Sequence, residues 1–252
     1  MSKYKISLFV IIPIVTLAIV IYGILFAVGI ILVYLLILAV MAFVIQSNFY
    51  LKSINRATTE KQNIVLSFDD GPVESTPLLL DILKGYNAKA IFFCIGSKIE
   101  GNESVLQRMI DEGHIVANHS LSHSVWFDFY SSKKIAAEIE QTNELLFKAI
   151  GKRSKLFRPP YGVTNPMIAD AIKKLGVQSI GWSKRSLDTV LRDTQRILNR
   201  ISPNIRPGDI VLMHDAAPNC TEVLKKYLQY IDKKGYKTER LDKIIKIDCY
   251  EN

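Results

Sequence analysis

Leu66-Ser67-Phe68-Asp69-Asp70-Gly71-Pro72 (LSFDDGP) ends a β-rich run, Ile64–Phe68, on two adjacent carboxylates. Asp-Gly and Gly-Pro pairs are strong turn signals, so a plain polar turn accounts for the stretch taken alone. A site that binds a cation with one carboxylate and moves a proton with its neighbour needs the same pair. The rest of the chain decides between the two.

Outward from this stretch the chain alternates β-rich and amphipathic segments. Short strand-like runs occur at 64–68, 90–95, 115–117, 155–157, 178–181 and 209–213, with a weaker one near Tyr236. Helix-like stretches lie between them at 76–85, 103–112, 131–150, 166–175 and 218–234, and Gly113, Gly151, Gly176 and Gly235 stand where helices stop. Strand–helix alternation with short links predicts a mostly parallel α/β sheet covered by helices, and about seven such units favour closure into a barrel-like form over an open sheet. Parallel sheets of this kind place their sites at the carboxyl ends of the strands. Asp69 and Asp70 follow the first run, His119 and His123 the third, Arg158 the fourth, Trp182 the fifth and His214 the sixth. Three of the chain's four histidines therefore fall at one end of the fold.

In His119-Ser-Leu-Ser-His123 two imidazoles four residues apart share one side of a turn, the spacing used to hold a cation, although solvated or capping histidines share it too. A carboxylate such as Asp70 completes a His, His, Asp set. Three protein ligands leave a divalent cation open positions, the layout of a catalytic site. Zn²⁺ suits this donor set, and Co²⁺, Ni²⁺ and Mn²⁺ are the other cations it admits. Asp69 is then left free as a candidate base.

Taken in order, LSFDDGP, Asn118-His-Ser-Leu-Ser-His123, Arg158-Pro-Pro-Tyr161-Gly and Leu212-Met-His214 resemble the motifs of polysaccharide deacetylases, the NodB-like domains of carbohydrate esterase family 4. The similarity runs over about residues 62–240. It implies a distorted (β/α) barrel and metal-dependent removal of acetyl groups, mostly N-acetyl, from amino sugars. It further implies Asp69 as base, Asp70, His119 and His123 as metal ligands, and Arg158 as the residue that positions the base. The Tyr161 amide becomes an oxyanion donor, His214 the general acid and Leu212 part of the acetyl pocket. The family's remaining motif fits Trp182-Ser-Lys-Arg-Ser-Leu-Asp188 loosely. Asp188 either orients His214 or caps the following segment, and Trp182 either walls the acetyl pocket or packs in the core. Two other readings share the residues: a metal-dependent hydrolase of another non-peptide amide, and a membrane-bound metal protein without turnover.

The first 61 residues read differently. No charge occurs between Lys5 and Lys52. A bilayer core of about 30 Å takes about 20 helical residues, and the 40 apolar residues from Ile6 to Ile45 make roughly 60 Å of helix. Two crossings follow, near 6–22 and 26–46, with Gly23 and Gly29 at the turn; one long, tilted or interfacial helix is the alternative. The expected organisation is a transmembrane hairpin over 1–46, a linker over 47–62 and a catalytic domain over 63–252. Lys3 and Lys5 before the hairpin, and Lys52, Arg56 and Lys61 after it, favour both ends on the cytoplasmic face of the cell membrane. Such a domain reaches a lipid-linked acetylated sugar, whereas an external one reaches a glycan. The formal charge is +8, of which the N-terminal 61 residues carry +4, so the folded part has a mildly basic surface and no nucleic-acid footprint. Cys94, Cys220 and Cys249 lack metal-type spacing and imply no disulfide framework. His114 reads as structural or solvent-facing. Lys184 and Arg185 read as surface charges or partners of an anionic substrate, and Trp126-Phe-Asp-Phe-Tyr130 as packing, a sugar platform or a membrane-facing edge.

Overall fold

The computed structural model describes residues 2–251. It begins with two apolar helices, α1 (Lys3–Tyr22) and α2 (Ile24–Ala42). They pack against each other as a hairpin, tied by the Ser7 and Tyr34 hydroxyls at 2.9 Å and by the Tyr4 amide donating to the Phe49 carbonyl at 3.1 Å. The reversal takes place at Gly23 alone, with φ 85° and ψ 172°, a conformation reserved for glycine; Gly29 lies inside α2. The second helix stops four residues short of the expected 46. Ile45 is 2% exposed and sits in the core of the following domain, and the Gln46 side chain donates to the Trp182 carbonyl at 3.2 Å, so burial and pairing draw the chain off the helix axis.

The remaining elements are β1 (Ser53–Ile54), β2 (Asn63–Gly71), α3 (Thr76–Gly85), β3 (Ala90–Cys94), α4 (Glu103–Asp111), β4 (Ile115–Asn118), α5 (Ser132–Ile150), β5 (Leu156–Phe157), α6 (Pro166–Leu175), β6 (Gln178–Ile180), β7 (Lys184–Arg185), α7 (Thr194–Ile201), β8 (Ile210–His214), α8 (Cys220–Lys233), β9 (Lys237–Thr238) and α9 (Leu241–Ile245). One sheet runs β1-β6-β5-β4-β3-β2-β8-β7, with β9 beside β2, and its paired strands are parallel. Its ends, β1 and β7, remain apart, which makes the distorted barrel a half-barrel.

Alternation along the central strands builds two layers of core. Ile64, Leu66 and Phe68 of β2 point outward, with Phe92 of β3 and Val211 and Met213 of β8, under α3, α4, α7 and α8. Val65, Ile91, Phe93, Ala117 and Leu212 point inward. Leu79, Leu80 and Leu83 on one face of α3 are fully buried, each stabilising the fold by about 1.5–3 kcal/mol. Helix ends follow their sequence signals. The Asn165 side chain caps α6 by accepting from the Ile168 amide at 2.9 Å, Pro166 opens that helix, and Gly176 closes it at φ 65°. Leu241 and Cys249, with Ile244, Ile245 and Ile247 packed beside them, join the inner cluster from the C-terminal segment.

Residues 55–58 are held against the loop before β8 by the Ala57 amide, which donates to the Gly208 carbonyl at 2.8 Å. A Cβ at Gly208, where φ is +77°, would lie 1.6 Å from the Ala57 carbonyl oxygen. Gly208→Ala is therefore expected to destabilise the chain by about 2–4 kcal/mol, read as a lowered midpoint of thermal unfolding in detergent. An unchanged midpoint would show that this junction contributes nothing.

Candidate active site

Two adjacent strand residues ordinarily point to opposite faces. Asp69 obeys this rule and points inward like Val65 and Ser67. Asp70 does not continue it. Asp69 pairs with Phe93 and Gly71 with Cys94, so Asp70 is the extra residue of a β-bulge, at φ 76°. The bulge re-aims its carboxylate into the same space as that of Asp69. Gly71 has no room for a Cβ, which would fall 1.9 Å from an Asp215 oxygen.

Asp70 Oδ1 is 3.5 Å from His119 Nε2 and 3.3 Å from His123 Nε2. Tetrahedral ligands at about 2.1 Å from a cation stand about 3.4 Å apart. Asp70 Oδ1 is buried without a hydrogen-bond partner among the described residues, an orphan that a cation would satisfy. His119 Nδ1 lies 2.7 Å from the Arg158 carbonyl. That carbonyl only accepts, so the proton is on Nδ1 and Nε2 offers its lone pair. Burial, and then His119, push the His123 imidazole down to about 4, which leaves it neutral at neutral pH. Burial works against the Asp70 carboxylate, but His119, His214 and His123 outweigh it and hold the group below the usual range. The donor set fits a divalent cation.

Asp69 is held apart from this set. Its Oδ1 accepts from the Arg158 guanidinium at 2.6 Å, while Oδ2 lies 3.7 Å from His119 Nε2. Arg158 is fully buried; burial pushes its pKa down and the Asp69 charge opposes that. It also donates to Ser67 Oγ at 3.0 Å and to the carbonyls of Ile180 at 3.1 Å and Gly181 at 2.8 Å. His214 pairs with Asp69 in the β2–β8 register. Asp188 Oδ1 is 2.7 Å from His214 Nδ1, and its Oδ2 accepts from the His214 amide at 2.9 Å. Burial lowers the His214 pKa, but the Asp188 hydrogen bond and charge, with Asp69 and Asp70 behind them, raise it above the ordinary imidazole value. Both Asp188 carboxylate oxygens thus meet His214.

Asp69, Asp70, His119, His123 and His214 open on one pocket of about 230 Å³ with Tyr161, Gly162, Trp182, Arg185, Thr189 and Leu212, smaller than the about 300–1,000 Å³ that encloses a whole drug-sized ligand. Trp182 is 4% exposed, lines the pocket and packs on Gly162, where a Cβ would fall 2.1 Å from the ring. Tyr161 has φ 58° and its hydroxyl donates to the His123 carbonyl at 3.2 Å. The Lys184 amine turns away to the Pro203 carbonyl, leaving Arg185 as the member of that pair beside the pocket. His114 is buried and structural, its Nδ1 accepting from the Ala90 amide at 3.2 Å.

The sequence reading missed the supports. Glu138 of α5 accepts from the Leu121 and Ser122 amides at 3.0 and 2.8 Å and so shapes the loop between the histidines. Its signal was an acid between Ile135, Ala136 and Ile139 on the buried face of a helix. Asp215, after His214, is buried with its pKa pushed up to about 7 by burial, against the Thr76 hydroxyl.

The polysaccharide deacetylase family profile matches residues 56–180. A peptidoglycan-N-acetylglucosamine deacetylase of Bacillus cereus is 31% identical over 73% of this chain and 88% of its own length. That decides the family. The chain belongs to the polysaccharide deacetylases, carbohydrate esterase family 4. Peptidoglycan-N-acetylglucosamine deacetylase PgdA of Listeria monocytogenes is 33% identical over 79% of this chain, which spans only 42% of that protein. The crystal structure of the Bc1960 peptidoglycan N-acetylglucosamine deacetylase superposes with a TM-score of 0.73 at 27% identity, covering 78% of this chain and 94% of that one.

Calorimetry of the purified chain is expected to show one Zn²⁺ or Co²⁺ bound per molecule. His123→Ala should weaken it by more than about 100-fold, beyond the loss that follows from disturbing an outer partner of a ligand. Unchanged affinity in that variant would exclude this cluster as the cation site.

Proposed function

We propose that the protein is a membrane-anchored, metal-dependent N-deacetylase of acetylated amino sugars. The observation that carries this reading is the pairing of Asp69 with His214 across β2 and β8, each fixed by its own buried partner, beside the Asp70, His119 and His123 cluster. A base and an acid next to a cation site are what amide hydrolysis requires. The relatives named above, as peptidoglycan N-acetylglucosamine deacetylases, supply the substrate class: an N-acetyl group on an amino sugar.

The chain's own residues divide the work. Arg158 holds Asp69 by one oxygen, leaving Oδ2 free to take a proton from the attacking water. The backbone amide of Tyr161 is the donor for the developing oxyanion. Leu212 and Trp182 wall the space for the acetyl methyl. His214 carries the proton that the departing sugar amine needs, and Asp188 keeps that imidazole oriented and protonated. A divalent cation held by Asp70, His119 and His123, Zn²⁺ by donor type, supplies Lewis acidity and an acidified water when bound.

The hairpin supports the membrane anchor. Its helices are 20 and 19 residues long, with Ile, Leu, Val and Phe exposed around both, close to the about 20 residues that span a bilayer. At its open end Tyr4, Phe49 and Tyr50 pack together with ring centroids 4.9–6.2 Å apart, beside Lys3, Lys5 and Lys52, as in an interfacial belt. Basic residues on both flanks favour the cytoplasmic face for the catalytic domain.

Acetate release from N-acetylated oligosaccharide by the detergent-solubilised protein tests the reaction. Chelation should abolish release and Zn²⁺ or Co²⁺ should restore it. His214 acts protonated, so activity is lost as pH rises through its elevated pKa. Asp188→Asn should lower that pKa and move the alkaline limb of kcat down by at least about one pH unit. Cation-independent release, or an unmoved limb, would contradict this mechanism.

A further inference from the structure

The catalytic domain exposes large apolar side chains in the segment that leads away from the pocket residue His123. Val125, Trp126 and Phe129 are 69%, 65% and 80% exposed, in the turn that follows His123. Phe127 between them is fully buried, so the turn is anchored while its flanking rings are held in solvent. Leaving such rings in water is unfavourable unless another surface covers them. The Trp126 and Phe129 planes are inclined at 58° with centroids 6.0 Å apart, which gives no continuous flat face on which a sugar ring would stack.

Two ties connect this turn to the open end of the hairpin. The Thr164 amide donates to the carbonyl of Ala42, the last residue of α2, at 2.9 Å, and the next residue, Asn165, donates its side-chain amide to the Asp128 carbonyl at 2.7 Å. Phe127 also shares an apolar cluster with Leu51, which directly follows the Phe49–Tyr50 aromatics. The exposed rings therefore project from the part of the domain that is bonded to the end of α2. Lys133 and Lys134, both exposed, come next at the start of α5, a charge suited to anionic headgroups. The turn is joined to the pocket through His123, which lines it and stands three residues before Trp126.

We propose that Trp126 and Phe129 rest in the interfacial layer of the leaflet at which α2 ends, and that the pocket beside them takes its N-acetylated amino sugar from a lipid of that leaflet. Amphipathic aromatic rings favour this layer, and a mouth held there meets lipid-borne sugars at a concentration set by the membrane surface. The inference rests on the deacetylase reading and on the membrane reading of α1 and α2.

The full chain is reconstituted in phosphatidylethanolamine–phosphatidylglycerol vesicles and given two substrates: a soluble N-acetylated chito-oligosaccharide, and an N-acetylglucosaminyl lipid within the same vesicles. For the Trp126→Ser, Phe129→Ser double variant, acetate release from the lipid is expected to fall at least tenfold, with release from the soluble saccharide unchanged. Equal loss on both substrates, or no loss on the lipid, overturns the proposal. So does a parent protein that uses only the soluble saccharide. Release from neither substrate by the parent overturns the deacetylase reading itself, and the membrane seat is then judged by quenching with brominated lipids. Emission quenched in the parent and unquenched in Trp126→Phe supports the seat, and unquenched parent emission overturns it.

Discussion

The buried ion pair between Arg158 and Asp69 is the constraint on which the site depends. Both side chains are at most 5% exposed, and an unpaired charge at that depth is not tolerated. The guanidinium reaches Asp69 and Ser67 on β2 and the carbonyls of Ile180 and Gly181 at the end of β6, and it stacks 4.0 Å over the Phe93 ring of β3. Its own carbonyl fixes the His119 tautomer. One residue thus joins the strand ends that carry Asp69, the Asp70, His119 and His123 cluster, and Trp182. Removing either partner alone strands the other and costs about 3–5 kcal/mol.

Around this pair the backbone departs from its relaxed forms. Asp70, Ser120, His123, Tyr161 and Leu187 all have positive φ without being glycine, five of the nine such residues among those described, and all five lie at the site end of the sheet. Each costs on the order of 1–3 kcal/mol and persists because its surroundings determine it. Asp70 shows what the distortion accomplishes: on a regular strand its carboxylate would face the outer helices.

This is also where legibility in the sequence ends. The β2, β3, β4 and β8 runs, the helices between them and the clustering of His119, His123, Arg158 and His214 were readable, because apolar periodicity and strand-end placement are local patterns. The two-residue edge strands β1 and β7 carry no periodicity of their own, since pairing to β6 and β8 makes them strands. The bulge at Asp70 depends on register with β3, and Glu138 acts from 15 residues beyond His123 through contacts that only the fold creates. In the hairpin, two apolar helices and a glycine turn were legible, but the shortening of the second helix by the burial of Ile45 was set by tertiary contact.

The central claim is that two neighbouring carboxylates have separate roles because one is bound by Arg158 and the other by a bulge beside two imidazoles. Zn²⁺ binding and acetate release, measured together on Asp69→Asn and Asp70→Asn, test it most directly. The account predicts that Asp69→Asn keeps Zn²⁺ within a few-fold of the parent affinity while losing turnover, and that Asp70→Asn loses Zn²⁺. Loss of the cation in Asp69→Asn, or its retention in Asp70→Asn, would contradict it.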